Sequence, residues 1–241
     1  MKIVVCLRAP PPDPEGDALG QADALALAQA LGLKADGREV TALLAGTSME
    51  AGPLRLALAA GADRAVRVVA DDLASADFHT TGQVLAIALR RIGGEAVGRP
   101  AAGSSGGPSC LILAGVRSDN EGLGASPAAI ARHLGIGYIA GVEALEALDD
   151  QTVAATVRDG GRLRRLRARL PVVLSVSSAS QMSAAPPRLG EPPAIETLSL
   201  SDPEATVVRR RTELLGRPEP ASRGVETVSS AAALVAALAR R

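Results

Sequence analysis

The stretch that decides the fold is EVTALLAGTSMEAGPLRLALAAGADRAVRVV, residues 39–69. It opens with an apolar run at residues 39–45, which predicts a buried strand that ends at Gly46. Residues 49–60 are rich in Ala and Leu and predict a helix, with Gly61 as its C-terminal stop. Residues 64–69 return to a strand pattern. A strand, a helix and a second strand in this order are typical of a parallel βαβ unit.

The same alternation extends over the first half of the chain. We expect further strands at residues 2–7 and 110–114, and further helices at residues 17–34, 77–92 and 126–134. The run CLILA at 110–114 is apolar at every position, as central strands of parallel sheets are. The sequence therefore predicts an α/β fold with a doubly wound, mainly parallel sheet of the Rossmann-like type. Such sheets bind ligands at the carboxyl ends of the strands, near the point where the strand order reverses.

The pattern changes after residue 137. Asp159-Gly160-Gly161 joins two alternating segments as a tight hairpin would. We expect an antiparallel extension with strands at residues 138–145, 152–158, 162–170 and 172–176. An extended arm is expected over residues 177–230, with one helical turn near 202–207, followed by a C-terminal helix at 229–241. The predicted domains are an α/β domain at 1–190 and an arm with a helix at 191–241. The arm buries too little by itself, so we expect it to pack on another chain.

Composition argues against several classes of function. Lys plus Arg and Asp plus Glu are both 26, and there is one Phe, one Tyr and no Trp. A chain with no net charge and almost no aromatic side chains is not expected to bind nucleic acid. Cys6 and Cys110 lie in apolar runs and are expected to be reduced and buried. The sequence has no signal-peptide pattern and no apolar segment long enough to span a membrane, so we expect a cytoplasmic protein without membrane insertion.

The motifs of common catalytic sites are absent from the sequence. There is no G-x-G-x-x-G after the first strand, no P-loop and no G-x-S-x-G nucleophile elbow. The tract GSSGG at residues 103–107 precedes a predicted strand, and we interpret it as a linker. His79 and His133 have no Cys, Asp or Glu at metal-ligand spacing. We therefore expect no catalytic residue, no metal site and no enzymatic activity of this chain alone.

The best candidate for a binding site is the loop GVRSDNEGLGAS at residues 115–126. It leaves a buried strand and enters a helix, whose N-terminus favours phosphate. Gly122 and Gly124 let backbone N–H groups approach a ligand. Three polar side chains in the loop suit a ribose or a partner chain: Asp119, Asn120 and Glu121. The alternative is a polar connecting loop in which Ser126 caps the helix, and the residues leave both interpretations open.

Residues 162–169, RLRRLRAR, alternate Arg with Leu and Ala. This pattern is typical of a strand with one solvated face. A surface that meets an acidic partner has the same pattern, and the sequence leaves both interpretations open.

The order of these segments resembles the β subunit of electron-transfer flavoproteins over most of the chain. The most specific match is LRLALAAGADRAVRV at residues 54–68, a helix that ends in L-x-x-A-L-A-x-G-A-D-x-A. KIVVCLR resembles the first strand of that family, which ends in a basic residue. ALALAQALGLKADGREVTALLAG at residues 24–46 resembles its long first helix and second strand. Residues 110–135 resemble its strand, nucleotide loop and helix, and RLRARLPVVLSV at 165–176 resembles its late strand with an L-P-x-V-V step.

Three segments depart from the family pattern. The family motif N-P-F-[DC] is replaced by Gly-Gln-Ala-Asp at residues 20–23, which keeps only Asp23. The N-Q-T-G of the nucleotide loop is replaced by Gly-Ala-Ser-Pro at residues 124–127, which keeps a hydroxyl but loses the amides. The docking loop L-N-E-P-R-Y has no counterpart in residues 178–187. For a member of this family, the missing docking loop implies that the electron-exchange partner differs or is gripped differently.

The resemblance implies an adenine-nucleotide-binding type of fold and a heterodimer. An α-type subunit would carry most of the FAD, and this chain would hold AMP or a second FAD. Electrons would pass between a dehydrogenase and a downstream acceptor such as a quinone reductase, with the flavin carrying them and the protein supplying binding and orientation. Carried over by position, the cofactor contacts fall at Cys6, Arg8, Asp23, Ala45, Gly46, Gly115, Arg117, Asp119, Asn120, Glu121, Gly122, Leu123, Gly124, Ala125 and Ser126.

Two other classes compete with this interpretation. A stand-alone adenine-nucleotide sensor of the universal-stress-protein type shares the general fold, but its G-x(2)-G-x(9)-G-[ST] spacing does not follow Gly115. An enzyme acting on a nucleotide α-phosphate needs N–H donors after the first strand. The segment RAPPPDPEG supplies few, because four of its nine residues are Pro.

Overall fold

The computed structural model describes residues 1–8, 19–34, 38–46, 51–70, 73, 76–97, 109–117, 124–177 and 191–200. The chain divides into two compact units, Met1–Arg211 and Thr212–Arg241, and all described residues belong to the first. The described strands are β1 (Lys2–Leu7), β2 (Glu39–Ala45), β3 (Arg64–Val69), β4 (Cys110–Gly115), β5 (Gly137–Ala147), β6 (Thr152–Asp159), β7 (Arg162–Arg169), β8 (Val172–Val176) and β9 (Glu196–Ser199). The helices are α1 (Gln21–Gly32), α2 (Gly52–Ala59), α3 (Phe78–Gly93) and α4 (Ser126–Leu134), and a 3-10 turn follows α3 at Gly94–Val97.

The described strands form one sheet in the order β7-β6-β5-β8-β4-β1-β2-β3-β9. Every neighbouring pair from β5 to β9 along this order is parallel, whereas β5–β6 and β6–β7 are antiparallel. The chain passes from β1 to β2 and β3 on one side and then places β4 on the other side of β1. The strand order therefore reverses between β1 and β4. The predicted doubly wound, mainly parallel sheet with an antiparallel extension is confirmed.

Helices cover both faces of this sheet, as the apolar pattern of the central strands requires. All six residues of β4 are buried, and so are five of the six in β1. One apolar cluster joins alternate residues of these strands to α1 and α2, and a second joins the intervening residues to α3 and α4. Because strand side chains alternate between faces, a run that is apolar at every position can feed both clusters.

The antiparallel extension closes through the predicted Asp-Gly hairpin. Asp159 at the end of β6 pairs with Arg162 at the start of β7, and only Gly160 and Gly161 lie between them. Their φ values are 54° and 83°. Two consecutive positive φ angles match the right-handed twist of a hairpin, and glycine adopts them without strain.

The structure differs from the sequence prediction at several element boundaries and by one additional strand. The helix predicted at residues 17–34 begins at Gln21, since Leu19 and Gly20 are not helical. Strand β9 is not predicted at all: the sequence analysis places its residues in the extended arm, yet they pair with β3 in parallel register. The helical turn predicted near 202–207, the C-terminal helix at 229–241 and the tract at 103–107 lie outside the described residues. The division of the chain at residue 190 stays a prediction.

Candidate functional site

The carboxyl ends of β1 and β4 meet where the strand order reverses. β1 ends at Leu7, and Arg8 follows it. β4 ends at Gly115, and the loop toward α4 follows. Helix α1 packs against both strands, so its first turn comes close to both strand ends. A doubly wound sheet opens a crevice at this position.

Asp23 in the first turn of α1 ties the two strand ends together. Its Oδ2 accepts hydrogen bonds from the Arg8 backbone N–H at 3.0 Å and from Arg8 Nε at 3.2 Å. Its Oδ1 accepts from Arg8 Nη2 at 2.6 Å and from the Gly115 backbone N–H at 3.1 Å. The same Arg8 Nη2 donates to the carbonyls of Gly115 at 3.2 Å and Arg117 at 2.6 Å. One ion pair thus fixes the exits of both strands.

Asp23 is 2% exposed, and this burial raises the pKa of its carboxyl. The Arg8 guanidinium and the two backbone N–H groups lower the pKa and oppose that rise. All four contacts of the carboxyl are donors, so the geometry is complete only when Asp23 is ionised. Its lone pairs already have protein partners. Asp23 therefore shapes the crevice by holding Arg8 and Gly115.

Gly115 is required by this close packing. A Cβ at this position would overlap Asp23 Oδ1 and would lie 2.6 Å from Arg8 Nη2 and 2.8 Å from the carbonyl carbon of Ala22. The last of these is backbone, which cannot move aside cheaply. Only glycine lets β4 end against the ion pair.

The C-terminal end of the candidate loop, just before α4, also requires a glycine. Gly124 has a φ of 61°, and a Cβ there would overlap the carbonyl oxygen of Val116. Helix α4 begins two residues later, with Ala125 as its N-cap and no side-chain cap. The alternative in which Ser126 caps the helix is therefore wrong, because Ser126 is already the first helical residue. The first N–H groups of α4 have no capping side chain.

Comparison with known proteins identifies the family. The profile described as the electron transfer flavoprotein domain matches residues 14–203. The chain belongs to the electron transfer flavoprotein family. It is 33% identical to Protein FixA of Bradyrhizobium diazoefficiens over 161 residues, which cover 66% of this chain and 52% of that protein. It is 33% identical to the electron transfer flavoprotein subunit beta of Mycobacterium tuberculosis over 145 residues, which cover 59% of this chain and 49% of that protein.

The chain spans about half the length of the curated relatives it matches. The predicted resemblance to β-type electron transfer flavoproteins is confirmed by these matches. The match to the family profile begins after β1 and Arg8, and it covers α1 with Asp23, β4 with Gly115 and the strands up to β9.

The structure brings together four of the residues that the resemblance predicts for a family site: Arg8, Asp23, Gly115 and Arg117. Gly46 lies at the end of β2, next to β1, where its N–H donates to the Val68 carbonyl at 3.1 Å. Cys6 is 3% exposed, and its side chain belongs to the apolar cluster under α3 and α4. Residues 119–123 lie outside the described part of the chain. Direct contact of these residues with a cofactor stays a prediction.

Two arrangements were not foreseen from the sequence. The resemblance names Arg8 and Asp23 separately, but no sequence signal indicates that they pair, because 15 residues separate them. The rings of His79 and His133 lie 4.7 Å apart between α3 and α4.

Within the described ranges no group of three or more His, Cys, Asp and Glu side chains could hold a metal ion. No helix among the described residues is both long and apolar enough to cross a membrane.

Proposed function

We propose that this chain is the β-type subunit of an electron-transfer flavoprotein that works in the cytoplasm. It pairs with an α-type subunit that carries FAD. The complex moves electrons between a dehydrogenase and a downstream acceptor, and this chain holds AMP or a second FAD at the reversal of strand order. The observation that carries the proposal is the reversal of strand order between β1 and β4, where Asp23 holds both strand ends, in a member of this family.

The residues of the crevice fit a nucleotide. Gly115 and Gly124 let the end of β4 and the start of α4 pack closely against Asp23, Arg8 and Val116, which fixes the backbone at the strand end. The uncapped first turn of α4 presents N–H groups of the kind that bind a phosphate. Arg8 is neutralised by Asp23 and bound to two carbonyls, so it positions the loop ends. A bound flavin would supply the redox chemistry, while this chain binds, orients and shields.

The test is mass spectrometry of the ligands released on denaturation from this chain co-expressed with the α-type flavoprotein chain of the same organism. We expect FAD from the partner and about one AMP, or a second FAD, per copy of this chain. Gly115→Ala should lose the ligand of this chain, because the added Cβ displaces the ion pair. The matched control is Gly137→Ala, which has only Val172 Cγ2 at 3.6 Å from an added Cβ and should retain it.

Two results would count against the proposal. A complex in which this chain releases no nucleotide contradicts the crevice assignment. A colourless monomer that carries ATP or AMP and ignores the α-type chain contradicts the subunit assignment and favours the stand-alone sensor.

A further inference from the structure

Strand β7 ends the described sheet on one side. It pairs with β6 through all eight of its residues, and no described strand pairs with its other side. In an antiparallel strand every second residue directs its N–H and C=O away from the partner. About half of the eight β7 residues therefore present backbone groups outward, which is a template for another strand.

This edge is strongly basic. Five of the eight residues of β7 are Arg, none is acidic, and all five are exposed. Arg164 pairs with Asp159 at 2.8 Å and Arg165 with Glu146 at 2.5 Å. Within the described residues Arg162 and Arg169 form no ion pair, and Arg167 lies close enough to the Asp149 carboxyl to lower its pKa. Arg162 and Arg169 lie on opposite faces of β7, so each face carries an arginine that has no carboxylate partner among the described residues.

Exposed large hydrophobic side chains also lie in the antiparallel extension that contains β7. Leu163 in β7 is 60% exposed and Leu148, just after β5, is 42% exposed. These are the large hydrophobic side chains that are exposed among the described residues. An added strand on β7 would cover Leu163 with its own side chains.

A second copy of the chain is a poor occupant of this edge. Opposite residues of paired strands have Cβ atoms about 5 Å apart, and like charges at that distance are destabilising. With five Arg among eight residues, two β7 strands would oppose Arg to Arg in most registers. The occupant must instead bring carboxylates.

We infer that β7 is the docking edge for an acidic strand of the α-type partner, which extends the sheet by one antiparallel or parallel strand. This inference rests on the proposed function for the identity of the partner. Backbone hydrogen bonds along β7 supply the pairing, and Arg162 and Arg169 select a strand rich in Asp or Glu.

The experiment measures the affinity of this chain for the α-type chain at 0.15 M salt, a physiological ionic strength. Arg162→Glu with Arg169→Glu should weaken binding at least about tenfold, because two attractive contacts become repulsive. The neutral pair Arg162→Gln with Arg169→Gln should weaken it less. The matched control is Arg55→Glu with Arg132→Glu, which makes the same charge change on exposed positions of α2 and α4 and should change affinity less than about twofold.

Hydrogen exchange distinguishes strand addition from charge attraction alone. On binding, about half of the β7 amides should become protected, as expected for the outward N–H groups of an edge strand. The inference is overturned if β7 exchange is unchanged in the complex, or if the β7 and control variants bind with equal affinity. The arginines would then serve only to prevent non-specific strand pairing at the edge. If the unmodified chain does not bind the α-type chain at all, the proposed function itself fails. Self-association that the β7 reversals abolish would assign the edge to a second copy.

Discussion

At the residue scale, the Asp23–Arg8 pair shows how one buried carboxylate can set the geometry of a crevice. The carboxylate receives four N–H donors from two strand ends that are far apart in sequence. It also lies in the first turn of α1, where the helix dipole favours a negative charge. Removing it leaves the Arg8 guanidinium without its carboxylate and the Gly115 N–H without its acceptor.

Asp23→Ala should lower the free energy of unfolding by about 3 kcal/mol, the lower end of the range for breaking a buried pair, since Arg8 keeps some exposure. Asp63→Ala is the control, because Asp63 also accepts from one backbone N–H and one cation but is 31% exposed. It should cost about 1 kcal/mol. Urea unfolding followed by circular dichroism measures both. Equal losses for the two variants would contradict the role given to Asp23.

The two cysteines give a pH prediction. Burial raises the pKa of both thiols, that of Cys110 to about 12. In the unfolded chain the pKa of a thiol is about 8.5. Below that pH both states are protonated and the thiols do not affect stability. Above it only the unfolded state releases the protons, so stability falls as pH rises, by up to about 1.4 kcal/mol per pH unit for each thiol.

The thiols should not react with a disulfide reagent in the native protein at pH 8, and both should react after denaturation. Cys6→Ala and Cys110→Ala, each alone, should reduce the alkaline loss of stability. If Cys6 in the native protein reacts faster than the protein unfolds, solvent reaches its thiol through the crevice. That result would contradict the burial of the Cys6 side chain.

At the element scale, α3 and α4 approach each other most tightly where Gly82 faces Ala129. A Cβ on Gly82 would lie 2.5 Å from the Ala129 Cβ and 3.1 Å from the Ala129 carbonyl carbon. Gly82 is in the interior of α3, where glycine costs about 1 kcal/mol relative to alanine. The close approach of the helices explains why glycine is present despite this cost.

Gly82→Ala should destabilise the protein, because overpacking against Ala129, which costs about 1–3 kcal/mol, outweighs the gain of about 1 kcal/mol in helix propensity. Adding Ala129→Gly removes the nearest contact and should recover part of the loss, although the second substitution alone costs about 1 kcal/mol. Thermal unfolding of the four proteins in this double-mutant cycle measures the coupling. Additive effects would mean that the helices do not meet at this point.

Most elements follow from local sequence, and the exceptions have physical reasons. The central strands are apolar at every position because both faces are covered, which makes them easy to predict. Helix α1 begins at Gln21, which has no capping side chain before it, so no sequence signal marks its start. Strand β9 is four residues long and largely exposed, and it is held by β3, which Arg64 reinforces through Glu196 at 2.8 Å. Such a strand exists only because its neighbour is in place.

At the scale of the whole molecule, the sequence predicts a parallel sheet and the family, while the crevice depends on tertiary structure. The reversal of strand order between β1 and β4 brings Arg8 and Gly115 together across 107 residues of chain. No local sequence pattern predicts that Arg8 and Gly115 lie close together. The family resemblance predicts Arg8 and Gly115 as site residues. That both bind the same carboxylate, Asp23 of α1, is evident only from the folded structure.

The central claim is that this chain functions as one half of a flavoprotein. Sedimentation velocity of the chain alone, the α-type chain alone and an equimolar mixture tests it most directly. Interference optics are needed, since one Tyr and no Trp make this chain nearly invisible at the usual protein wavelength. We predict that the mixture forms a single 1:1 species that carries the flavin absorbance. Two species that sediment as they do alone, with the flavin absorbance unchanged, would contradict the claim.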